Sequence, residues 1–211
     1  MYIPAAFRES RLEVLHGLIR EHSFATLVSQ LDDGQFFATH MPFLLDAERG
    51  PSGTLVGHMA RANPHWQAFS SRAREALVIF QGPHAYISPN WYRSTQAVPT
   101  WNYSAVHAYG RPQLMEEPRR VRALLEATVQ TFESGLPEEW TTGHVSEEYI
   151  AGLIRGIVAF EVPIDRLEGK RKLGQNRPVA DAESAAAGLQ AHGDVLGQAV
   201  AEQMLEAAQG R

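Results

Sequence analysis

The sequence lacks cysteine altogether, and this absence removes several classes of chemistry. Disulfide bonds, thiolate metal sites and cysteine nucleophiles are all excluded. The chain also has no apolar run that approaches the length of a membrane span, and its first residues, MYIPAAFRES, do not combine a basic region with an apolar one. We therefore expect a cytoplasmic protein without a membrane segment.

Familiar catalytic and metal-binding motifs are missing as well. The nine histidines show no HExxH or H-x-x-x-H spacing, and there is no G-x-S-x-G, Walker or dinucleotide-binding motif. We therefore expect no metal site. Several histidines nevertheless fall on predicted strands and leave open a haem ligand, namely His40, His58, His84 and His107.

The sequence also has fewer basic residues than acidic ones. The formal net charge is −5, whereas non-specific DNA affinity comes mostly from Lys and Arg that neutralise phosphates. The short basic clusters at Arg119–Arg120 and Lys170–Lys172 are typical of solvated surface. No helix-turn-helix or basic recognition helix is visible, so neither charge nor motif supports direct DNA binding.

The periodicity of the remaining sequence predicts a small antiparallel barrel with peripheral helices. With 211 residues, of which 44% are hydrophobic, the chain is long enough for one domain with a helical appendage. Helices are predicted at 10–22, where Ser10 to Glu13 has the form of a capping box, and at 63–73, 116–134 and 146–155. Strands are predicted at 24–30, 35–45, 54–60, 76–81, 85–88, 98–115 and 157–162, and a helical tail, interrupted near Gly193, from 180 onward.

The stretch VPTWNYSAVHAYG, residues 98–110, has the most unusual pattern in the chain. With a side-chain period of two, one face carries Trp101, Tyr103, Ala105, His107 and Tyr109, and the other carries Thr100, Asn102, Ser104 and Val106. A flat ligand with polar edges could bind against such a strand. Alternatively, the aromatic side chains fill a core and the polar face is exposed to water.

Two other segments suit a phosphate or a polar ligand. Arg61 precedes the Asn63-Pro64 helix start, where free backbone N–H groups favour an anion, although a solvated Arg61 and a simple Asn63 cap explain the same residues. Residues 170–177, KRKLGQNR, combine cations with the amide donors of Gln175 and Asn176, although a charged loop is equally consistent.

Taken together, several motifs resemble the PaiB-type family of FMN-binding negative transcriptional regulators. They match in order and spacing from Met1 to about Arg177, and they are MYIP, THMPFLL, GHMARANPHW, VIFQGPHAYISPNWY, VPTWNYSAVHAYG and KLGQNR. The resemblance implies a mainly β, antiparallel split barrel, related to pyridoxamine phosphate oxidases, over residues 1–177, followed by a helical tail over 178–211. It also implies a homodimer with FMN near the subunit interface. Gly174 departs from the family pattern, which usually has Ser there.

Under this resemblance, the candidate residues acquire roles toward FMN. Arg61, the helix start at Asn63 and Lys172 would bind the phosphate. Thr100, Asn102 and Gln175 would meet polar edges of the ligand, and Trp101 or Tyr103 would stack on its ring. The family function is repression, which could act through a partner or by sensing the flavin redox state; a flavin-dependent oxidoreductase and a haem protein are the alternatives.

Overall fold

A computed structural model of the protein describes residues 1–69 and 74–210. Its helices are α1 Leu12–Glu21, α2 Pro118–Glu133, α3 Glu147–Arg155, α4 Val179–His192 and α5 Val195–Gln209, with 3-10 turns at Ala5–Phe7, Pro64–Phe69, Pro89–Trp91 and Thr142–His144. Its strands are β1 Arg8–Glu9, β2 Phe24–Gln30, β3 Phe36–Pro42, β4 Leu44–Asp46, β5 Thr54–Ala60, β6 Ala76–Ile87, β7 Thr100–Gly110, β8 Gln113–Met115 and β9 Ile157–Lys172.

The strands form a mainly antiparallel sheet, as the periodicity predicts. Hydrogen-bonded neighbours follow the order β3-β2-β6-β7-β9-β5-β4, while β1 and β8 pair with β9. The backbone divides into two compact units: the first comprises residues 1–22, 80–107 and 168–211, and the second comprises 23–79 and 108–167. Strands β6, β7 and β9 each contribute residues to both units.

The second unit contains the predicted hairpin. Strand β2 pairs with β3 in the register Phe24↔Pro42 to Gln30↔Phe36, and Gly34 adopts φ 86° in the turn. This conformation favours glycine and explains the Asp-Gly signal. Strand β5 has the predicted bounds and pairs with both β4 and β9. These pairings confirm the antiparallel hairpin prediction.

The first unit is built around the C-terminal helices. Helices α4 and α5 share a buried apolar cluster with Ala85 and Ile87 of β6 and with Leu173. The helical tail is interrupted between α4 and α5, as predicted. Gly193 follows α4, and the Asp194 carboxylate accepts a hydrogen bond from the backbone N–H of Gly197 and so caps α5. The tail is therefore part of a hydrophobic core.

Several predicted boundaries are wrong for local reasons. Ser10 caps nothing, because the N–H groups of Ser10 and Arg11 donate to the Glu9 carboxylate, and α1 starts at Leu12. The two strands predicted on either side of Gly82-Pro83 are one continuous strand, β6. The strand predicted at 98–115 is divided into β7 and β8, with Arg111 and Pro112 between them, and the last strand extends to Lys172 instead of ending at 162. The helix predicted at 63–73 is a 3-10 turn over Pro64–Phe69, and residues 70–73 lie outside the described part of the chain.

Candidate functional site

Strand β7 separates its side chains as the period of two predicts, but the small polar face is the buried one. Asn102 and Ser104 are 2% and 0% exposed, whereas Trp101 is 55% exposed. The buried polar groups are satisfied by α5: the Asn102 amide lies 3.3 Å from the sulfur of Met204, and the Ser104 hydroxyl donates to Gln203 at 2.7 Å. The aromatic face is thus left available for contact, and Asn102 lies on the opposite face from Trp101.

An exposed aromatic surface surrounds Trp101. The Tyr86 ring meets Trp101 edge-on with 6.1 Å between ring centroids, and His84 lies 6.3 Å from the same ring. Tyr86 is 45% exposed. Large aromatic side chains gain most when they are buried or stacked, so adjacent exposed rings indicate a surface that binds something flat or apolar.

Lys172 lies at the edge of this aromatic surface and fixes the start of β7. Its ammonium donates hydrogen bonds to the Thr100 hydroxyl and to the backbone carbonyl of Trp101. Burial lowers the pKa of Lys172, and the nearby charges of Lys170 and Arg177 lower it further. The structure therefore brings together three of the predicted residues, Lys172, Thr100 and Trp101. A neighbouring anion would stabilise the charged form of Lys172.

A second lysine contacts the remaining predicted aromatic residue. The Lys170 ammonium lies 5.1 Å from the centroid of the Tyr103 ring and donates to the Tyr2 carbonyl at 3.2 Å. Such a geometry is a cation–π contact, which holds the lysine beside the ring. Tyr103 consequently belongs to the same basic and aromatic region as Lys172.

The side-chain amide of Gln175 is hydrogen-bonded to the local backbone. Its carbonyl oxygen accepts from the N–H of Leu173 at 2.8 Å, and its NH₂ group donates to the carbonyl of Arg171 at 2.6 Å. Between these residues Gly174 adopts φ 86°, where a side chain is strained. In this geometry Gln175 organises the turn that follows Lys172.

Arg61 and Asn63 lie in the second unit, and both are engaged there. The Arg61 guanidinium donates to the carbonyls of Arg155 at 2.9 Å and Ile157 at 2.7 Å. It therefore hydrogen-bonds to backbone carbonyls at and just after the C-terminus of α3. Asn63 caps the following 3-10 turn through the N–H of His65 and donates to the Thr39 hydroxyl at 3.1 Å. Their predicted phosphate contacts stay predictions.

Partial or complete burial affects three of the histidines. Burial lowers the pKa of His58 and His107 and lowers that of His65 to about 4. His65 is fully buried between the rings of Phe37 and Phe69. Within residues 1–69 and 74–210, His, Asp and Glu nowhere form a group of three that could hold a metal ion.

Comparison with known proteins places the chain in a family. The family model described as "Putative FMN-binding domain" matches residues 1–166. The chain belongs to this FMN-binding domain family. "Protease synthase and sporulation protein PAI 2" of Bacillus subtilis is 34% identical over 181 residues, which cover 86% of this chain and 85% of that protein. These matches confirm the PaiB-type resemblance of the sequence motifs.

Two solved structures share the fold of this family member. The FAD and heme binding protein of Mycobacterium smegmatis is 20% identical, with a TM-score of 0.60, over 86% of this chain and 80% of that one. The flavocytochrome Anf3 of Azotobacter vinelandii is 17% identical, with a TM-score of 0.60, over 85% and 75%. The fold is the antiparallel split barrel of flavin-binding proteins, as predicted. In the part of the chain that the structure describes, no helix is both long enough and apolar enough to cross a membrane.

Proposed function

We propose that this protein binds FMN and acts as a negative transcriptional regulator of the PaiB type. The observation that carries the proposal is the position of Lys172, which is hydrogen-bonded to Thr100 and Trp101 beside an exposed aromatic surface. FMN combines a phosphate dianion with a flat aromatic ring. The residues present offer a partner of matching chemistry for each part.

The phosphate would be bound by Lys172 and the Thr100 hydroxyl. Lys170 and Arg177 lie close enough to lower the pKa of Lys172, so a phosphate placed there would relieve their mutual repulsion. A phosphate would also replace the backbone carbonyl of Trp101 with a full negative charge as the partner of the ammonium. These gains favour an anion over water at this position.

The isoalloxazine ring would stack against Trp101, with Tyr86 and Tyr103 at its border. The bound flavin would supply reversible electron transfer, and this chain would bind it, orient it and limit its contact with water. Gln175 would act indirectly by holding the turn that follows Lys172. Arg61 and Asn63 remain candidates for a phosphate contact, which the variant Arg61→Ala tests.

Regulation would act through a partner and not through direct operator binding. The formal charge of −5 opposes a dense phosphate interface on DNA. We further propose a homodimer in which the second subunit covers flavin bound on the Trp101 surface, since exposed aromatic side chains are enriched in subunit interfaces. A change in flavin redox state would then alter the surface presented to the partner.

A visible absorption spectrum of the purified protein, followed by titration with FMN, tests the proposal directly. Saturable FMN binding at one per chain, weakened at least tenfold in Lys172→Met and unchanged in Arg111→Met, is the expected result. Arg111 is an exposed cation of the second unit and serves as the matched control. A Soret band in place of a flavin spectrum, or equal FMN affinity in Lys172→Met, would contradict the proposed site.

Separate measurements address the regulatory role. Analytical ultracentrifugation with and without FMN measures the oligomeric state, and a gel-shift titration over a range of salt concentrations measures DNA affinity. Tight, sequence-selective DNA binding by the protein alone would contradict regulation through a partner. Rapid reduction of the bound flavin by NADH or NADPH would instead favour the oxidoreductase alternative.

A further inference from the structure

The first unit contains a second concave region, a cleft of about 920 Å³ between α1 and α5. On each helix the lining residues recur every three or four positions, so each helix presents one stripe to the cleft. Small residues keep the space open, and a β-carbon added at Gly17 of α1 would meet nothing within 4 Å. The volume lies within the range typical of small-molecule sites.

The most buried cation that lines this cleft is Arg171, near the end of β9. Its side chain is 16% exposed, and its ion pair with the Glu206 carboxylate is a long contact of 3.4 Å. Its Nε is buried without a hydrogen-bond partner among the described residues. A guanidinium carries five N–H donors, so Arg171 has unused capacity for a carboxylate.

Apart from Glu9, which is buried and paired with Arg11, the carboxylates that line the cleft are exposed at its rim. Glu202 and Glu206 are one turn apart on α5 and both are exposed, and Glu21 of α1 is exposed on the opposite wall. The other charged groups of the lining change this distribution of charge little. Glu9 and Arg11 pair with each other at 2.6 Å, and Arg8 is exposed. Burial lowers the pKa of His22, which favours its neutral form. Because Arg11 pairs with the buried Glu9 carboxylate, the buried cation without a close carboxylate partner is Arg171, and the other carboxylates lie at the rim.

From this separation of charge we infer that the cleft binds a small zwitterion of the amino-acid class. The ligand carboxylate would bind Arg171 and displace Glu206, and the released Glu206, with Glu202, would accept the ligand ammonium. A simple anion would be repelled by the rim carboxylates, and a simple cation by Arg171. The inference does not depend on FMN binding. Lys172 and Trp101 do not line this cleft, and Gln175, which does, uses its side-chain amide in the turn that follows Lys172.

The test is binding of the common L-amino acids, one at a time, to the full-length protein by calorimetry and thermal shift. We expect at least one to bind. For that amino acid, the deaminated acid and the decarboxylated amine should each bind at least tenfold more weakly, because each lacks one of the two charges. Arg171→Lys and the double variant Glu202→Gln/Glu206→Gln should both lose at least tenfold in affinity.

Several results would overturn the inference. They include no binding by any amino acid and unchanged affinity in Arg171→Lys or in the double variant. Equally tight binding of the deaminated acid or of the decarboxylated amine would also overturn it, because the cleft would then recognise only one charge. The double variant alters only exposed side chains and is expected to fold, and Arg111→Lys is the matched control for Arg171→Lys. Competition between FMN and the amino acid would assign the cleft to the flavin site and would also overturn it, whereas failure of FMN to bind leaves the inference intact.

Discussion

The indole ring of Trp91 lies directly against Gly188 of α4, and a β-carbon added at position 188 would be only 2.5 Å from the ring. Trp91 also stacks on His192 with 6.5 Å between centroids. Two residues further along, the N–H groups of Arg93 and Ser94 both donate to the buried Asp181 carboxylate at 3.0 Å. The loop between β6 and β7 is thus attached to α4, so the C-terminal tail holds the segment that leads into Thr100.

The first prediction is that Gly188→Ala destabilises the protein. The added methyl group overlaps the Trp91 ring, and overpacking typically costs about 1–3 kcal/mol, of which the better helix propensity of Ala returns about 1 kcal/mol. We expect the free energy of unfolding, measured by urea denaturation, to fall by up to about 2 kcal/mol. Gly197→Ala in α5 is the control, because its β-carbon would make ordinary contacts at 3.5 Å. Equal stability of the two variants would contradict the tight packing of Trp91.

The second prediction concerns the pH dependence of FMN affinity. The pKa of Lys172 is lowered in the folded protein, so raising the pH toward its ordinary value of 10.5 removes the charge that would bind the phosphate. FMN affinity should therefore fall as the pH rises toward 10.5, and Lys172→Arg should flatten this dependence because arginine stays charged. Without FMN, the stability of the protein should change in the opposite direction: the unfolded state keeps the proton to higher pH than the folded state, so the free energy of unfolding rises as the pH rises toward 10.5. Fluorescence titration with FMN at a series of pH values compares the native protein with Lys172→Arg.

Sequence periodicity predicted most elements because their signals are local. The β2–β3 hairpin is set by Asp33 and Gly34, and β5 ends where its alternating pattern ends. Gly82 misled the prediction, since a glycine beside proline usually marks a turn. In β6 this glycine serves a non-local purpose: a β-carbon there would be 3.2 Å from Ser104 on β7, so a larger residue would require Ser104 or its strand to shift.

The candidate site shows the same limit of prediction from sequence periodicity. The period of two assigned Trp101 and Asn102 to opposite faces of β7, but it could not say which face would be buried. That choice is made by α5, whose Gln203 and Met204 supply partners for Ser104 and Asn102 about a hundred residues later. The contact between Lys172 and Thr100 likewise joins two strands that are neighbours in the sheet but far apart in the sequence. Pairings of this kind leave no periodic trace in a sequence.

The third prediction uses Gly174, the position where this chain departs from the KLSQNR pattern. A serine at φ 86° is strained by about 1–2 kcal/mol, but its β-carbon has room, 3.8 Å from Ala182. Gly174→Ser should therefore lower stability by about 1–2 kcal/mol and tighten FMN binding through the new hydroxyl. Gly135→Ser has the same φ of 86° with nothing within 4 Å, so it should show the stability loss alone. Equal FMN affinity in the two variants would mean that the hydroxyl does not reach the ligand.

The fourth prediction is that His65 makes the protein sensitive to acid. His65 is 0% exposed, its Nδ1 lies 2.8 Å from the Thr39 hydroxyl, and its Nε2 has no hydrogen-bond partner among the described residues. Burial lowers its pKa from 6.5 to about 4, so the unfolded state binds more protons between these values, and stability is lost as the pH falls through that window.

His65→Asn isolates this effect, since an amide can replace Nδ1 as the partner of Thr39 but does not titrate. Between pH 6.5 and about 4, the native protein should lose about 2–3 kcal/mol more stability than the variant, as measured by urea denaturation at each pH. His144→Asn, at an exposed histidine, is the control and should retain the native pH dependence. Identical pH dependence in native protein and His65→Asn would assign the acid sensitivity to other groups, first to His22, His58 and His107, whose pKa values burial also lowers.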